Sequence, residues 1–230
     1  MCGRFVRSSS IREIADYFNI RHHSFEVAPS YNVAPAQDII IMNNQGGKQL
    51  VKCHWGFVPS WARDLSMGHN MINARSETVA EKPAFRAAFR KQRCLVIASG
   101  FYEWHKEKGK KVPVYVSLKS GNPFGFAGLY NVWTSPEGEK ICTCTILTTE
   151  ANDLLSAIHD RMPVIIPPGK EDSWLDTEVE NIELLKGFLG PFPSKEMVIA
   201  RVSDRVNSPK YNSPDNITPL RTELNGVGGC

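Results

Sequence analysis

The sequence predicts an α+β fold in which a curved, barrel-like sheet of mixed or antiparallel strands carries peripheral helices. Short runs rich in β-branched and aromatic residues, bounded by Gly, Pro, Asn and Ser clusters, outnumber the helical patterns. No regular alternation of strand and helix persists, so a doubly wound parallel sheet is not expected. With 230 residues, 42% of them hydrophobic, the chain can build one sizeable core, and we expect a single domain.

The first predicted element is a helix from Ser10 to Ile20. Ser10 and Glu13 form a capping-box pair, and apolar residues follow at helical spacing. Most of the strand-like runs come later in the chain. They are Ile39–Met42, Leu50–Trp55, Cys94–Ala98, Val112–Leu118, Phe124–Leu129, Lys140–Leu147, Val164–Ile166 and Met197–Val202.

Further helices are predicted in four gaps between these strands. Pro83 suits the first position of a helix over Pro83–Gln92, and Thr149 suits the N-cap of a helix over Thr149–Ile158. Weaker patterns predict helices over Pro168–Leu175 and Glu180–Leu189.

The ends of the chain and its charge limit the possible environments and partners. We expect a folded catalytic unit over residues 1–222 and a flexible, glycine-rich tail over 223–230. A net charge of +3 permits a polyanionic partner without requiring one. No apolar segment approaches the roughly 18 residues that span a bilayer, and no secretory signal is present, so we expect a cytoplasmic protein without a membrane partner.

The six cysteines are scattered, and we expect them to be free thiols. Cys142 and Cys144 form a C-x-C pair, a spacing that occurs in zinc sites. They lie in a strand-like run that places both sulfurs on one face, and no second Cys/His pair has ligand spacing. Core packing is therefore favoured over a metal site.

Cys2 follows the initiator Met1 directly. Removal of Met1 leaves an α-amine and a thiol on one residue, and this 1,2-aminothiol condenses with an aldehyde to a five-membered thiazolidine. With pKa values of roughly 8 and 8.5, amine and thiol are both partly deprotonated near neutral pH. The alternative is that Cys2 merely belongs to a frayed terminus.

Three other residues have side chains suited to catalysis in apolar surroundings. Asn73 precedes Ala74 and Arg75; Glu103 stands between two aromatic residues, where desolvation raises the pKa of a carboxyl. His159 follows the predicted helix ending at Ile158. Asn73 can alternatively be a turn residue, Glu103 the exposed side of a strand, and His159 a helix C-cap.

These segments, taken in order, resemble the SOS response-associated peptidase family, known as SRAP. The resemblance covers residues 1 to about 220 and shows no departure at the motif residues. The matching segments are Met1–Phe5, Tyr31–Pro35, Trp55–Pro59 with Trp61, Ile72–Arg75, Glu77–Thr78, Gly100–Trp104, Ile158–Pro163 and Val202–Ser203.

The resemblance implies a sensor of abasic sites in single-stranded DNA that loses Met1, with autoproteolytic and lyase-like activity, and crosslinks to the lesion through Cys2. In this reading His159 donates a proton to the sugar ring oxygen, Glu103 relays protons at the Cys2 amine, and Asn73 orients the terminus. No cofactor or metal is required. We expect a monomer in the cytoplasm, associated with the nucleoid when DNA is damaged.

The DNA-binding residues follow from the same resemblance. Arg4, Arg75 and Arg161 lie beside motif residues and are suited to phosphate contacts. Trp61 and Trp104 offer faces for base stacking, although each alone is as readily a core residue. A last basic residue, Lys82, lies near the Asn73 segment and is the first candidate for an additional nucleophile.

Two other functions remain open from the sequence. A cysteine peptidase could use Cys2, His159 and Glu103 on other polypeptides, and it would turn over an unrelated peptide. A non-catalytic single-stranded DNA-binding module would retain intact and abasic strands alike.

Overall fold

The computed structural model describes residues 2–21 and 23–220, and it has an α+β architecture with a closed barrel and a second sheet. The predicted tail at 223–230 lies outside the described residues, as does Met1. The described strands are β1 Phe5–Arg7, β2 Ser30–Val33, β3 Asp38–Asn43, β4 Gln49–Trp55, β5 Asn73–Arg75, β6 Arg93–Ala98, β7 Gly100–Glu107, β8 Lys110–Leu118, β9 Phe124–Thr134, β10 Lys140–Glu150, β11 Arg161–Pro163 and β12 Met197–Arg201. The described α-helices are α1 Ile11–Tyr17, α2 Arg86–Lys91, α3 Glu171–Leu175 and α4 Ile182–Lys186.

The barrel is a ring of strands in the order β3, β4, β10, β9, β6 and back to β3. Four of these pairings are antiparallel, and the pairing of β4 with β10 is parallel. β5 and β11 add to β10, which therefore pairs with four strands. The barrel-like mixed sheet predicted from the sequence is confirmed.

Successive side chains of the barrel strands belong alternately to two apolar clusters. In β6, Leu95 and Ile97 belong to the cluster that also includes apolar residues of all four helices. Val96 and Ala98 belong to the cluster shared with the second sheet. Because both faces of β6 are covered, all six of its residues are buried. This agrees with its sequence, in which apolar residues follow one another without alternating polar positions.

The second sheet is antiparallel throughout, in the order β12, β8, β7, β1, β2. Lys108 and Gly109, with φ of 48° and 79°, form the two-residue turn between β7 and β8, which suits the twist of a hairpin. At the other end of β7, a Cβ on Gly100 would overlap the Tyr115 ring. Glycine at this position therefore leaves room for the Tyr115 side chain, whose hydroxyl donates to the Ser99 carbonyl at 3.1 Å, and Gly100 pairs with Val6 of β1.

Several predicted elements are confirmed, including the first helix. The Ser10 Oγ accepts a hydrogen bond from the Glu13 amide at 3.2 Å, and the Glu13 carboxylate accepts one from the Ser10 amide at 2.7 Å, so the capping box is present. The other predicted helices are found in shorter form, except for one.

The helix predicted over Thr149–Ile158 is wrong. β10 continues to Glu150, because Thr149 and Glu150 pair with Met162 and Arg161 of β11, and turns follow. The strand predicted over Val164–Ile166 is also displaced: the ladder forms at Arg161–Pro163, and Ile165 makes an isolated bridge to Phe126. In both segments, pairing between β10 and β11 determines the secondary structure and overrides the preference of the local sequence.

Within the described ranges, no group of three or more His, Cys, Asp or Glu side chains is arranged to hold a metal ion. Cys53, Cys94 and Cys144 are buried and Cys142 is half-buried, in agreement with core packing of the C-x-C pair. Among the described helices, none combines the length and apolar character needed to cross a bilayer.

Candidate active site

Cys2 lies just before β1 and is completely buried. The pairing of Phe5 with Phe101, together with a hydrogen bond from the Tyr102 amide to the Arg4 carbonyl at 3.0 Å, directs the terminus along β7 towards Glu103. Burial, and next the negative charge of Glu103, raise the pKa of the Cys2 thiol well above its ordinary value. The thiol is consequently protonated at neutral pH in the folded chain.

Asn73 connects the terminus to the barrel. Its Nδ2 donates a hydrogen bond to the Cys2 carbonyl oxygen at 2.8 Å. β5, which carries Asn73, pairs in parallel with β10, and the Trp55 indole donates to the Ile72 carbonyl at 2.9 Å. The Asn73 Oδ1 is buried and accepts no hydrogen bond from the described residues, so it is an acceptor available to a ligand or to an amine.

Glu103 is a buried carboxyl, 5% exposed, on β7. Its burial raises the pKa of the carboxyl above the ordinary glutamate value, while the nearby positive charge of His159 acts in the opposite direction. Both residues line a pocket of about 800 Å³, which also includes Trp104 and Asn207. A carboxyl with a raised pKa in such a pocket is suited to proton transfer near neutral pH.

His159 directly follows the turn residues 153–158 that come after β10, and the helix on which the C-cap alternative depended is not formed in this segment. Its Nδ1 is 2.9 Å from the Arg161 amide nitrogen, which donates to it, and 2.8 Å from an Asp160 carboxylate oxygen. When the ring is neutral and accepts from the Arg161 amide, its proton resides on Nε2. The imidazole is about one third exposed and can therefore meet a ligand in the pocket.

The three predicted arginines have different surroundings. Arg75 is exposed at the end of β5. One nitrogen of Arg4 donates to the Asn32 side chain at 2.6 Å and to the Val206 carbonyl at 2.9 Å, and its guanidinium lies 5.8 Å from the Trp104 ring centroid.

Arg161 already has an anionic partner. Its two terminal nitrogens donate to the two carboxylate oxygens of Glu77 at 2.5 and 3.0 Å, and one of them also donates to the Thr148 carbonyl. This bidentate pair ties the turn after β5 to β11. A phosphate contact of Arg161 stays a prediction, and it would have to compete with Glu77.

The two predicted tryptophans differ in exposure. Trp61 is 60% exposed, which excludes the core-residue alternative for this side chain. Trp104 is half-buried on the pocket wall, and its indole donates to the Asn207 side chain at 2.7 Å. Lys82 is exposed in the turns that precede α2. Neither Trp61 nor Lys82 lines the pocket that contains Glu103 and His159.

The structure adds pocket residues that the sequence reasoning missed. Lys106 and Lys111 pair with each other across the β7–β8 hairpin and line the pocket. Extending the strand beyond Trp104 to the Lys108–Gly109 turn would have placed them opposite each other. No local signal pointed to Asn207, which lies about a hundred residues further along the chain.

Comparison with known proteins gives matches that cover most of the chain. A family model described as SOS response associated peptidase (SRAP) matches residues 1–209. The Bacillus subtilis (strain 168) abasic site processing protein YoqW is 46% identical over 221 residues, covering 94% of this chain and 99% of that protein. The Rattus norvegicus abasic site processing protein HMCES is 30% identical over 233 residues, covering 83% of this chain and 65% of that protein.

Solved structures match the fold as well. A protein from Bacteroides thetaiotaomicron has a TM-score of 0.86 at 27% identity, covering 95% of this chain and 100% of that chain. A second protein, from Bordetella bronchiseptica, has a TM-score of 0.77 at 29% identity, covering 88% of this chain and 100% of that chain.

Proposed function

Since the chain belongs to the SOS response associated peptidase (SRAP) family, we propose that it processes abasic sites in DNA by attaching itself covalently to them through Cys2. The relatives from Bacillus subtilis and Rattus norvegicus bear the name abasic site processing protein. The observation that carries the proposal is the position of Cys2. Its carbonyl oxygen accepts a hydrogen bond from Asn73, and the charge of Glu103 is near enough to raise the pKa of its thiol.

The first step is removal of Met1 by hydrolysis of the Met1–Cys2 peptide bond, which consumes one water and exposes the Cys2 α-amine. We assign this step to the protein itself, with Glu103 as the residue that accepts and returns the proton. The raised pKa of Glu103 supports this role, because a carboxyl that titrates nearer neutral pH can both take up and release a proton.

The second step opens the abasic sugar. A deoxyribose without its base is in equilibrium with an open-chain aldehyde at C1′. His159 donates a proton to the ring oxygen as the bond from that oxygen to C1′ breaks, and the aldehyde forms. The donor is Nε2 of the protonated ring, which becomes a neutral imidazole when the proton leaves, and the Asp160 carboxylate oxygen 2.8 Å from Nδ1 supports this assignment by holding the ring in place.

The third step forms the crosslink. The Cys2 amine adds to C1′ and water leaves, which gives a Schiff base; the Cys2 sulfur then adds to the same carbon and closes a thiazolidine. The thiol proton ends on the ring nitrogen, so no net proton is consumed. Because burial keeps the thiol protonated, this transfer requires a nearby base. We assign that role to Glu103, the carboxylate whose charge acts on the Cys2 thiol.

DNA binding is the part of the proposal that rests on charge. Arg4 and Arg75 flank the terminus and β5, and Lys106 and Lys111 add positive charge to the pocket wall. Phosphate contacts of this kind are independent of sequence, and stacking of a base on Trp61 would be as well. We therefore propose single-stranded DNA without sequence preference as the substrate.

Intact-mass measurement tests the proposal. Protein that has lost Met1 is mixed with a single-stranded oligonucleotide containing one abasic site, with an undamaged strand of the same sequence, and with an unrelated peptide. We expect an adduct that survives denaturation on the abasic strand alone, and an unchanged peptide.

Cys2→Ala is the matched control, because it retains the α-amine. It should form a reversible Schiff base that allows strand cleavage by β-elimination, and it should give no stable adduct. A heat-stable adduct of Cys2→Ala without added reductant would require another nucleophile, with Lys82 as the first candidate. Equal adduct on both strands, or none on the abasic strand despite Met1 loss, would contradict the proposal.

A further inference from the structure

Two thiols face each other where the barrel closes through its parallel pairing. Thr143 pairs with His54 and Cys144 with Trp55, so Cys142 of β10 lies opposite Cys53 of β4. Side chains at matched positions of parallel strands point to the same face of the sheet. The Sγ atoms of Cys53 and Cys142 are 2.6 Å apart.

The backbone geometry already suits a covalent bond between these sulfurs. Neighbouring strands lie about 4.8 Å apart, within the range of roughly 4.4–6.8 Å that separates the Cα atoms of disulfide-bonded cysteines. A disulfide is about 2.05 Å long, so the sulfurs need to approach by only about 0.5 Å from their present separation. Side-chain rotation supplies such a movement without displacing either strand.

We propose that Cys53 and Cys142 are an oxidative modification site, at which a peroxide converts the two thiols into a reversible disulfide between β4 and β10. Cys142 attacks one peroxide oxygen, which gives a sulfenic acid and one water. Cys53 then attacks that sulfur, the S–S bond forms, and the sulfenic oxygen leaves with a proton as a second water. Two thiols and one hydrogen peroxide thus yield one disulfide and two waters.

Exposure assigns the order of the two steps. Cys142 is half-buried, whereas Cys53 is 1% exposed, so an oxidant in solution reaches Cys142 first. Burial and the neighbouring Cys142 and Cys144 sulfurs raise the pKa of the Cys53 thiol, so the second step is slow. Cys144 lies within hydrogen-bonding reach of Cys53 and is the competing partner.

The bond would act on the strand with the most neighbours. β10 pairs with β9, β4, β5 and β11, and β5 carries Asn73. Cys53 and Cys142 are 89 positions apart in sequence, and a link across so long a loop restricts the unfolded chain strongly. Oxidation should therefore raise the melting temperature by roughly 5 °C or more while the site keeps its geometry.

The test treats the folded, full-length chain with hydrogen peroxide, blocks the remaining thiols with an alkylating reagent, and maps the peptides by mass. We expect a peptide pair joined through Cys53 and Cys142 with two hydrogens lost, reversal by dithiothreitol, and a higher melting temperature. Cys142→Ser should abolish both the linked peptide pair and the increase in melting temperature. Cys94→Ser, which removes another buried thiol of the same apolar cluster, should retain both.

Three outcomes would overturn the proposal. They are a link from Cys53 to Cys144, accumulation of sulfinic acid at Cys142 with Cys53 still free, and unchanged thiols after prolonged exposure of the folded parent chain. None of these readouts depends on DNA, so the result is independent of the function proposed above.

Discussion

The Asn73 side chain donates a hydrogen bond to the Cys2 backbone oxygen at 2.8 Å. Cys2 precedes β1 in the second sheet, and Asn73 begins β5, which belongs to the barrel. This bond therefore fixes the terminus relative to the barrel, and it uses the carbonyl of Cys2 and not the nitrogen or the sulfur of that residue.

Asn73→Ala should slow crosslinking by roughly 10- to 100-fold, because the Cys2 carbonyl loses its donor and the terminus its anchor. The measurement is the single-turnover rate of adduct formation at saturating abasic oligonucleotide. Asn131→Ala is the matched control, since Asn131 Nδ2 also donates to a backbone carbonyl, that of Val58, at 2.8 Å. Equal rate losses in the two variants would show that Asn73 acts through stability alone.

Glu103→Gln should slow both Met1 removal and crosslinking by about 10²- to 10⁴-fold, the usual contribution of a general acid–base group. The amide keeps the shape of the side chain but transfers no proton. Mass spectrometry follows both reactions on one sample. If crosslinking proceeded at the parent rate in Glu103→Gln protein freed of Met1 by other means, the proton relay at the amine would be refuted.

The same substitution should change how stability depends on pH. Because burial raises the pKa of Glu103, the folded chain holds this proton to a higher pH than the unfolded chain does. The resulting stability is complete below the ordinary glutamate pKa of about 4.3 and is lost as the pH rises through the raised value. The melting temperature of Glu103→Gln minus that of the parent should thus increase from about pH 4 to pH 8, and a difference that stayed constant over this range would contradict the raised pKa of Glu103.

His159→Gln should slow crosslinking to an abasic sugar far more than reaction with a simple open-chain aldehyde, because only the sugar needs a proton on its ring oxygen. A loss of about 10²- to 10⁴-fold is expected for the sugar. The measurement is the reaction rate with the abasic sugar and with the open-chain aldehyde, together with the melting temperature of each variant. Equal slowing with both substrates would remove His159 from the ring-opening step.

Arg75→Ala should weaken binding to undamaged and abasic strands alike and reduce the salt dependence of binding. Each phosphate contact on single-stranded DNA contributes about 0.7 to the slope of log K against log salt concentration. Fluorescence anisotropy over a series of salt concentrations measures this slope. Arg12→Ala, at an exposed position on α1, should leave the slope unchanged, and an unchanged slope in Arg75→Ala would exclude its phosphate contact.

Local signals in the sequence were sufficient where the deciding contacts are local. The Ser10–Glu13 capping box predicted the start of α1 because both partners lie within one turn. The segment from Thr149 to Ile158 also begins with a good N-cap residue, yet Thr149 and Glu150 extend β10 because β11 supplies a ladder that the local pattern does not show. The barrel class was predictable from strand content, whereas its closure depends on the β4–β10 pairing across about ninety residues.

The site shows the same division. Cys2 and Glu103 were recognisable from their own chemistry and surroundings, and the fold brings them within electrostatic reach of each other. The ion pair of Arg161 with Glu77 was not predictable, because the two residues are 84 positions apart and neither local sequence indicates that they are in contact. Asp160, beside the His159 ring, was visible in sequence, but its contact with Nδ1 depends on the turn that replaced the predicted helix.

If the chain matures as proposed, the pairing of Phe5 with Phe101 and the complete burial of Cys2 determine when during synthesis Met1 can be removed. Until β7 has left the ribosome, β1 has only β2 on one side to pair with, and a cellular aminopeptidase can act on the terminus. Once β7 has paired with β1, Cys2 is buried, and in the proposed mechanism a group within the protein then cuts the Met1–Cys2 bond. The group we assign to the cut, Glu103, lies on β7 itself. In the proposed mechanism the same strand therefore ends the period for external trimming and begins the period for self-processing.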